Sequence, residues 1–97
     1  MRLVTGAATD VGRVRDGNED AFLVNEQLGL VAVADGIGGH RGGEVASVTA
    51  LEALRAAITS GQSLREAIED ANEAVFTKAQ TDAKLRGMGT TLTAARW

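Results

Sequence analysis

The sequence contains no cysteine and no proline. Without cysteine there can be no disulfide, no thiolate metal ligand and no cysteine nucleophile. The same lack fits a reducing compartment, so a cytoplasmic protein is expected. Zero proline is unusual for a globular chain and fits a short piece of one. Long apolar runs are missing too. The longest, residues 28–34, falls far short of the roughly 20 residues that a membrane-spanning helix needs. Residues 1–6 carry one charged side chain and no extended apolar stretch, which does not match a secretory signal. Nor is there a basic cluster: eight Arg and two Lys are scattered against 13 acidic residues, for a net charge of −3. Such a chain has no general attraction for nucleic acid or an anionic membrane.

What remains is a soluble chain with the length of one small domain. Its 97 residues are 44% hydrophobic and 24% charged, which permits a packed core. Residues 2–9 are small and β-branched and predict a strand. Residues 10–18, rich in Gly, Asp, Asn and Arg, predict a loop. Two short apolar runs, 21–25 and 30–34, are separated by a turn signal at 25–29 and predict an antiparallel pair. Residues 35–43 hold five glycines in nine positions and predict irregular chain. A helix is expected over 44–60, with Val48, Leu51, Leu54 and Ile58 as its apolar stripe and Gly61 as its stop. Ser63-Leu64-Arg65-Glu66 has the pattern of a capping box. It opens a second helix to about residue 83, lined by Leu64, Ala67, Ile68, Ala71 and Val75. Residues 90–97 predict a last strand. The order β-β-β-α-α-β, with strands grouped first, argues for an α+β fold.

Three carboxylates fall where chemistry could be built. Glu19 and Asp20 stand at the start of the second predicted strand, and Asp35 ends the third. Antiparallel pairing would bring Glu19 and Asp35 to one edge of the sheet. Clustered carboxylates repel unless a cation lies between them, and an all-oxygen set suits a hard ion such as Mg²⁺ or Mn²⁺. The plainer reading makes Asp35-Gly36 a simple turn and Glu19-Asp20 a solvated pair. Arg15 could pair with a phosphate dianion or with Asp16. His40 could donate a proton or lie on the surface. The glycine-rich stretch 36–43 invites a phosphate-cradle reading. However, no Gly-Lys-Ser/Thr follows it, and Gly36-Ile37-Gly38-Gly39-His40 misses the last glycine of a dinucleotide fingerprint.

Three segments in order carry a resemblance. Gly12-Arg13-Val14-Arg15-Asp16-Gly17-Asn18-Glu19-Asp20-Ala21 resembles the first motif of bacterial PPM-type (metal-dependent) Ser/Thr protein phosphatases. Val33-Ala34-Asp35-Gly36-Ile37-Gly38-Gly39-His40, followed by Gly43-Glu44-Val45-Ala46-Ser47, resembles the second. Gly87-Met88-Gly89-Thr90-Thr91-Leu92-Thr93-Ala94 is similar to a third.

The resemblance implies an α-β-β-α sandwich with two Mg²⁺ or Mn²⁺ ions at one end. Glu19, Asp35 and the Gly36 carbonyl would be metal ligands, with Asp35 bridging both ions. Asp20 would hold a metal-bound water, and Arg15 would bind the substrate phosphate. It further implies hydrolysis of phosphoserine and phosphothreonine by a water activated between the two ions. The partners would be phosphorylated proteins, Ser/Thr kinases and their substrates among them, with no nucleic acid and no membrane. The family's later Asp-Gly and Asp-Asn motifs have no counterpart here. After Asp35 the only aspartates are Asp70 and Asp82, each followed by Ala. The expectation is therefore that residues 1–97 are the N-terminal part of one such domain, inactive alone. Two alternatives stay open: a non-catalytic PPM-like regulatory module, and a small nucleotide-binding α+β protein.

Overall fold

A computed structural model describes residues 13–17, 20–39 and 41–97. The elements run β1 (Arg13–Gly17), β2 (Asp20–Asn25), β3 (Leu30–Ile37), α1 (Gly42–Thr59), α2 (Leu64–Thr81), a 3₁₀ turn (Ala83–Leu85) and β4 (Gly89–Arg96). The four strands form one antiparallel sheet in the order β1-β2-β3-β4. Helices α1 and α2 form the connection from β3 to β4, and this is an α+β arrangement as the element order predicts.

The β2–β3 connection is held by its own polar groups. The Asn25 side chain accepts the Leu28 N–H at 3.0 Å, and Gly29 N–H donates to the Glu26 carbonyl at 3.2 Å. Gly29 has φ 62°, a region that residues with a Cβ enter only at a cost. Beyond the turn, β3 alternates cleanly. Leu30, Ala32, Ala34 and Gly36 are buried, whereas Val33, Asp35 and Ile37 are exposed. The alanines leave room for α1 to approach the sheet closely. Ala46, Ala50, Leu51 and Leu54 of α1 are buried with Ala21, Leu23, Leu30, Ala32 and Ala34 of the sheet in a single core. Burying each leucine fully contributes about 1.5–3 kcal/mol.

Helix ends follow the local chemistry. After α1, Gln62 N–H reaches the Ala57 carbonyl and Gly61 N–H the Ile58 carbonyl, both at 3.0 Å. This is the Schellman pattern, and Gly61 at φ 94° supplies its left-handed residue. At α2, Glu66 N–H donates to Ser63 Oγ at 3.1 Å and Ser63 N–H donates to Glu66 Oε1 at 3.0 Å. The capping box is therefore complete.

Several expectations are corrected. The polar stretch read as loop contains a strand, Arg13–Gly17, because its main chain pairs with β2 whatever its side chains prefer. The third strand runs on through Asp35, Gly36 and Ile37; β4 pairs with all three and supports a sequence that propensity alone would end. Helix α1 starts two residues early, taking in Gly42 and Gly43. Its stripe also includes Ala46, Ser47, Ala50 and Ala57, while Val48 is only half-buried. On α2, Ala67, Ala71 and Val75 are buried as expected, but Ile68 is exposed and Leu64 half-buried. The strand expected over residues 2–9 lies outside the described residues.

Candidate metal centre at the edge of the sheet

Backbone register assembles the site. Asp20 at the start of β2 pairs with Asp35 near the end of β3, and Asp35 pairs in turn with Thr91 of β4. Gly17 completes the rung on β1. Directly opposed residues in an antiparallel sheet have Cβ atoms about 4.5–5.5 Å apart, and like charges in that position destabilise the pair. The register thus places two acidic residues opposite each other, a pairing whose penalty a divalent cation would remove. Asp35 is exposed on the sheet face opposite α1, and Gly36 follows it with a buried main chain.

Arg15 stands in β1 opposite Phe22, two residue pairs along from the row of Asp20 and Asp35. The two positions are about 7 Å apart along the strand direction at roughly 3.3–3.4 Å per residue. Glu19 and His40 lie outside the described residues, so the proximity expected for Glu19 and Asp35 falls there as well. The Asp20–Asp35 pairing is the contact that antiparallel alignment of β2 and β3 delivers.

The glycines after Asp35 answer to packing. Gly42 N–H donates to the Gly39 carbonyl at 2.8 Å. A Cβ added at Gly38 would lie 3.0 Å from the main chain of Gly42 and Gly43, and one added at Gly42 would lie 3.2 Å from the Met88 Cβ. The loop folds tightly onto the start of α1, where Arg41 forms an ion pair with Glu44 at 3.2 Å. No βαβ unit surrounds it, since β4 is antiparallel to β3. The structural context of a dinucleotide fingerprint is absent among the described residues.

Neither later aspartate completes the centre. Asp82 caps the 3₁₀ turn, its Oδ1 accepting the Lys84 N–H at 2.9 Å. Asp70 is exposed on α2, in an open depression with Glu73 and Lys78. Among the described residues no group of three or more His, Cys, Asp or Glu side chains could hold a metal ion. Oxygen donors are the right chemistry for Mg²⁺ or Mn²⁺, and Asp35 and Gly36 offer a carboxylate and a carbonyl of that kind. Sequence reasoning missed one polar group beside this row, the Thr91 hydroxyl, which bonds to the Asp35 main chain at 3.3 Å. The paired threonines of Gly89-Thr90-Thr91 were its signal.

Comparison with known proteins agrees with this geometry. No family model matches the chain. It is 40% identical over 100 aligned residues to the serine/threonine phosphatase stp of Listeria monocytogenes, covering 90% of this chain and 40% of that one. It is also 40% identical to the serine/threonine protein phosphatase PstP of Mycobacterium tuberculosis, covering 91% of this chain and 18% of that one. The PstP crystal structure superposes with a TM-score of 0.69 at 38% identity, over 91% of this chain and 39% of the other. A structure of the PstP catalytic domain with two manganese ions gives the same TM-score. The chain spans about two fifths of the length of the Listeria relatives. In sequence and in fold, it is a relative of the bacterial PPM-type Ser/Thr protein phosphatases.

Proposed function

We propose that this chain carries one wall of the metal centre of a Mg²⁺- or Mn²⁺-dependent phosphatase acting on phosphoserine and phosphothreonine in proteins. The observation that carries the reading is the rung on which Asp20, Asp35 and Thr91 stand side by side, with Arg15 two residue pairs away. Two manganese ions are present in the related PstP catalytic domain, which supports the choice of cation. Glu19, Asp35 and the Gly36 carbonyl would hold the ions, and Asp20 would accept from water beside them. Bound divalent ions would supply a nucleophilic water at neutral pH and neutralise charge on the phosphoryl group. Arg15 would bind and orient the phosphate through its fixed charge and forked donors. The partners follow as phosphorylated proteins, including Ser/Thr kinases and their targets, and a cytoplasmic setting goes with the lack of cysteine.

The 97 residues alone should bind Mn²⁺ weakly and turn over negligibly, because too few carboxylates are present to offset dehydration of two ions. Phosphopeptide hydrolysis and Mn²⁺ binding by the purified chain test this. Measurable binding that Asp35→Asn removes supports the reading. Brisk hydrolysis by the chain would overturn the incomplete site, and binding unaffected by Asp35→Asn would overturn the ligand assignment. In any longer chain that turns over, Arg15→Ala should raise KM more than it lowers kcat. The thin set of described carboxylates favours one second reading, a non-catalytic module. Phosphatase activity in a longer chain bearing these residues would exclude it.

A further inference from the structure

Thr91 touches Asp35 in a way that strand pairing does not require. The Asp35 N–H donates to Thr91 Oγ1 at 3.3 Å, and the same hydroxyl donates to the Asp35 carbonyl at 3.5 Å. One hydroxyl thus spans both polar groups of a single residue from the neighbouring strand. Thr90, opposite Gly36, donates its own hydroxyl to the Thr91 carbonyl at 2.7 Å. The two threonines therefore flank the Asp35-Gly36 step, whose carboxylate and carbonyl are two of the ligands assigned above. Burial does not account for Thr91: it is exposed, on the face opposite α1. Strand propensity alone would accept valine as readily.

We propose that Thr91 is a positioning residue for the metal centre. Its hydroxyl fixes the Asp35 main chain, and through it the direction of the Asp35 carboxylate and the Gly36 carbonyl. The inference rests on the reading of Asp35 and Gly36 as ligands. A ligand whose main chain swings by even a fraction of an ångström leaves productive geometry. Removing a bonded support from a ligand typically costs about 10-fold or more in metal affinity.

Mn²⁺ binding to the 97-residue chain, followed by the electron paramagnetic resonance signal of the free ion, tests this with Thr91→Val, Thr91→Ser and Asp35→Asn. Valine keeps shape and strand propensity but loses the hydroxyl; serine keeps the hydroxyl. The expected result for Thr91→Val is binding about 10-fold weaker, with the metal-free melting temperature unchanged. Exchange of the Asp35 amide proton should also be faster. Thr91→Ser should restore both readouts close to the unsubstituted chain. Equal binding by Thr91→Val and the unsubstituted chain would overturn the inference. So would loss of binding in valine and serine variants alike, in step with a lowered melting temperature. If the unsubstituted chain binds no better than Asp35→Asn, the ligand reading itself fails and takes this one with it.

Discussion

The two faces of the sheet share strands but differ in what covers them. On one face Ala21, Leu23, Leu30, Ala32 and Ala34 are sealed under α1, while α2 packs on α1 and β4. On the other, Val33 is 52% exposed and Ile37 65%, with Asp35, Thr91 and Thr93 beside them. Alternate residues of β3 therefore do separate jobs: even positions hold the helices, and odd positions present the acidic edge. Substitutions on the two faces should then separate stability from metal binding.

The largest effect is expected in the covered face. Leu54→Ala, with Leu54 wholly buried, should cost about 2–5 kcal/mol, enough to unfold a small domain. Val33→Thr at an exposed position of the opposite face should stay within about 0.5 kcal/mol, as surface changes do. Denaturant unfolding of the two variants checks the contrast, and similar losses would break it. Next in size is Gly29→Ala. The left-handed backbone costs a Cβ-bearing residue about 1–2 kcal/mol, and the added methyl would collide with the Trp97 carbonyl. The same unfolding measurement should show at least that loss.

A smaller effect concerns the cap of α2 and depends on pH. Glu66 accepts hydrogen bonds from Ser63, main chain first, which hold its carboxyl below the ordinary 4.5. A lowered folded-state value means stabilisation that is fully present above the ordinary value and lost as pH falls through the lower one. Ser63→Ala should cost about 1 kcal/mol at neutral pH, and Glu66→Gln, which removes the titrating carboxyl, should flatten that acid dependence, as thermal melts between pH 3 and 7 would record. The smallest effect on stability, and the largest on solubility, is expected from Val33→Lys. The exposed Val33 and Ile37 and the edge of β4, which lies at the end of the sheet among the described residues, favour association between copies. Size-exclusion chromatography should show less association in the lysine variant.

Much of this was legible before any coordinates. The capping box at Ser63 and the stop at Gly61 were readable because each depends on residues within five positions. The β2–β3 pair was readable because its turn is local. Strand β1 was not: Arg13–Gly17 has loop composition and is strand only through pairing with β2. The extension of β3 through Gly36 was hidden for the same reason, since its partner Thr90 is 54 positions away, from 36 to 90. At the site, Asp20, Asp35 and Arg15 could be chosen from their motifs, and pairing then put the first two on one rung. Thr91 was marked only by the paired threonines of its motif, because a threonine in a strand looks like any β-former until its hydroxyl is seen against Asp35.

The central claim is that the Asp20–Asp35 edge, and no other acidic surface of this chain, takes a divalent cation. Titrating Mn²⁺ into the ¹⁵N-labelled chain tests it most directly, because the ion broadens amide signals only near its site. Broadening should begin at Asp20, Asp35, Gly36 and Thr91 and disappear in Asp35→Asn. Broadening that instead begins at Asp70 and Glu73 on α2, or survives Asp35→Asn, would contradict the account.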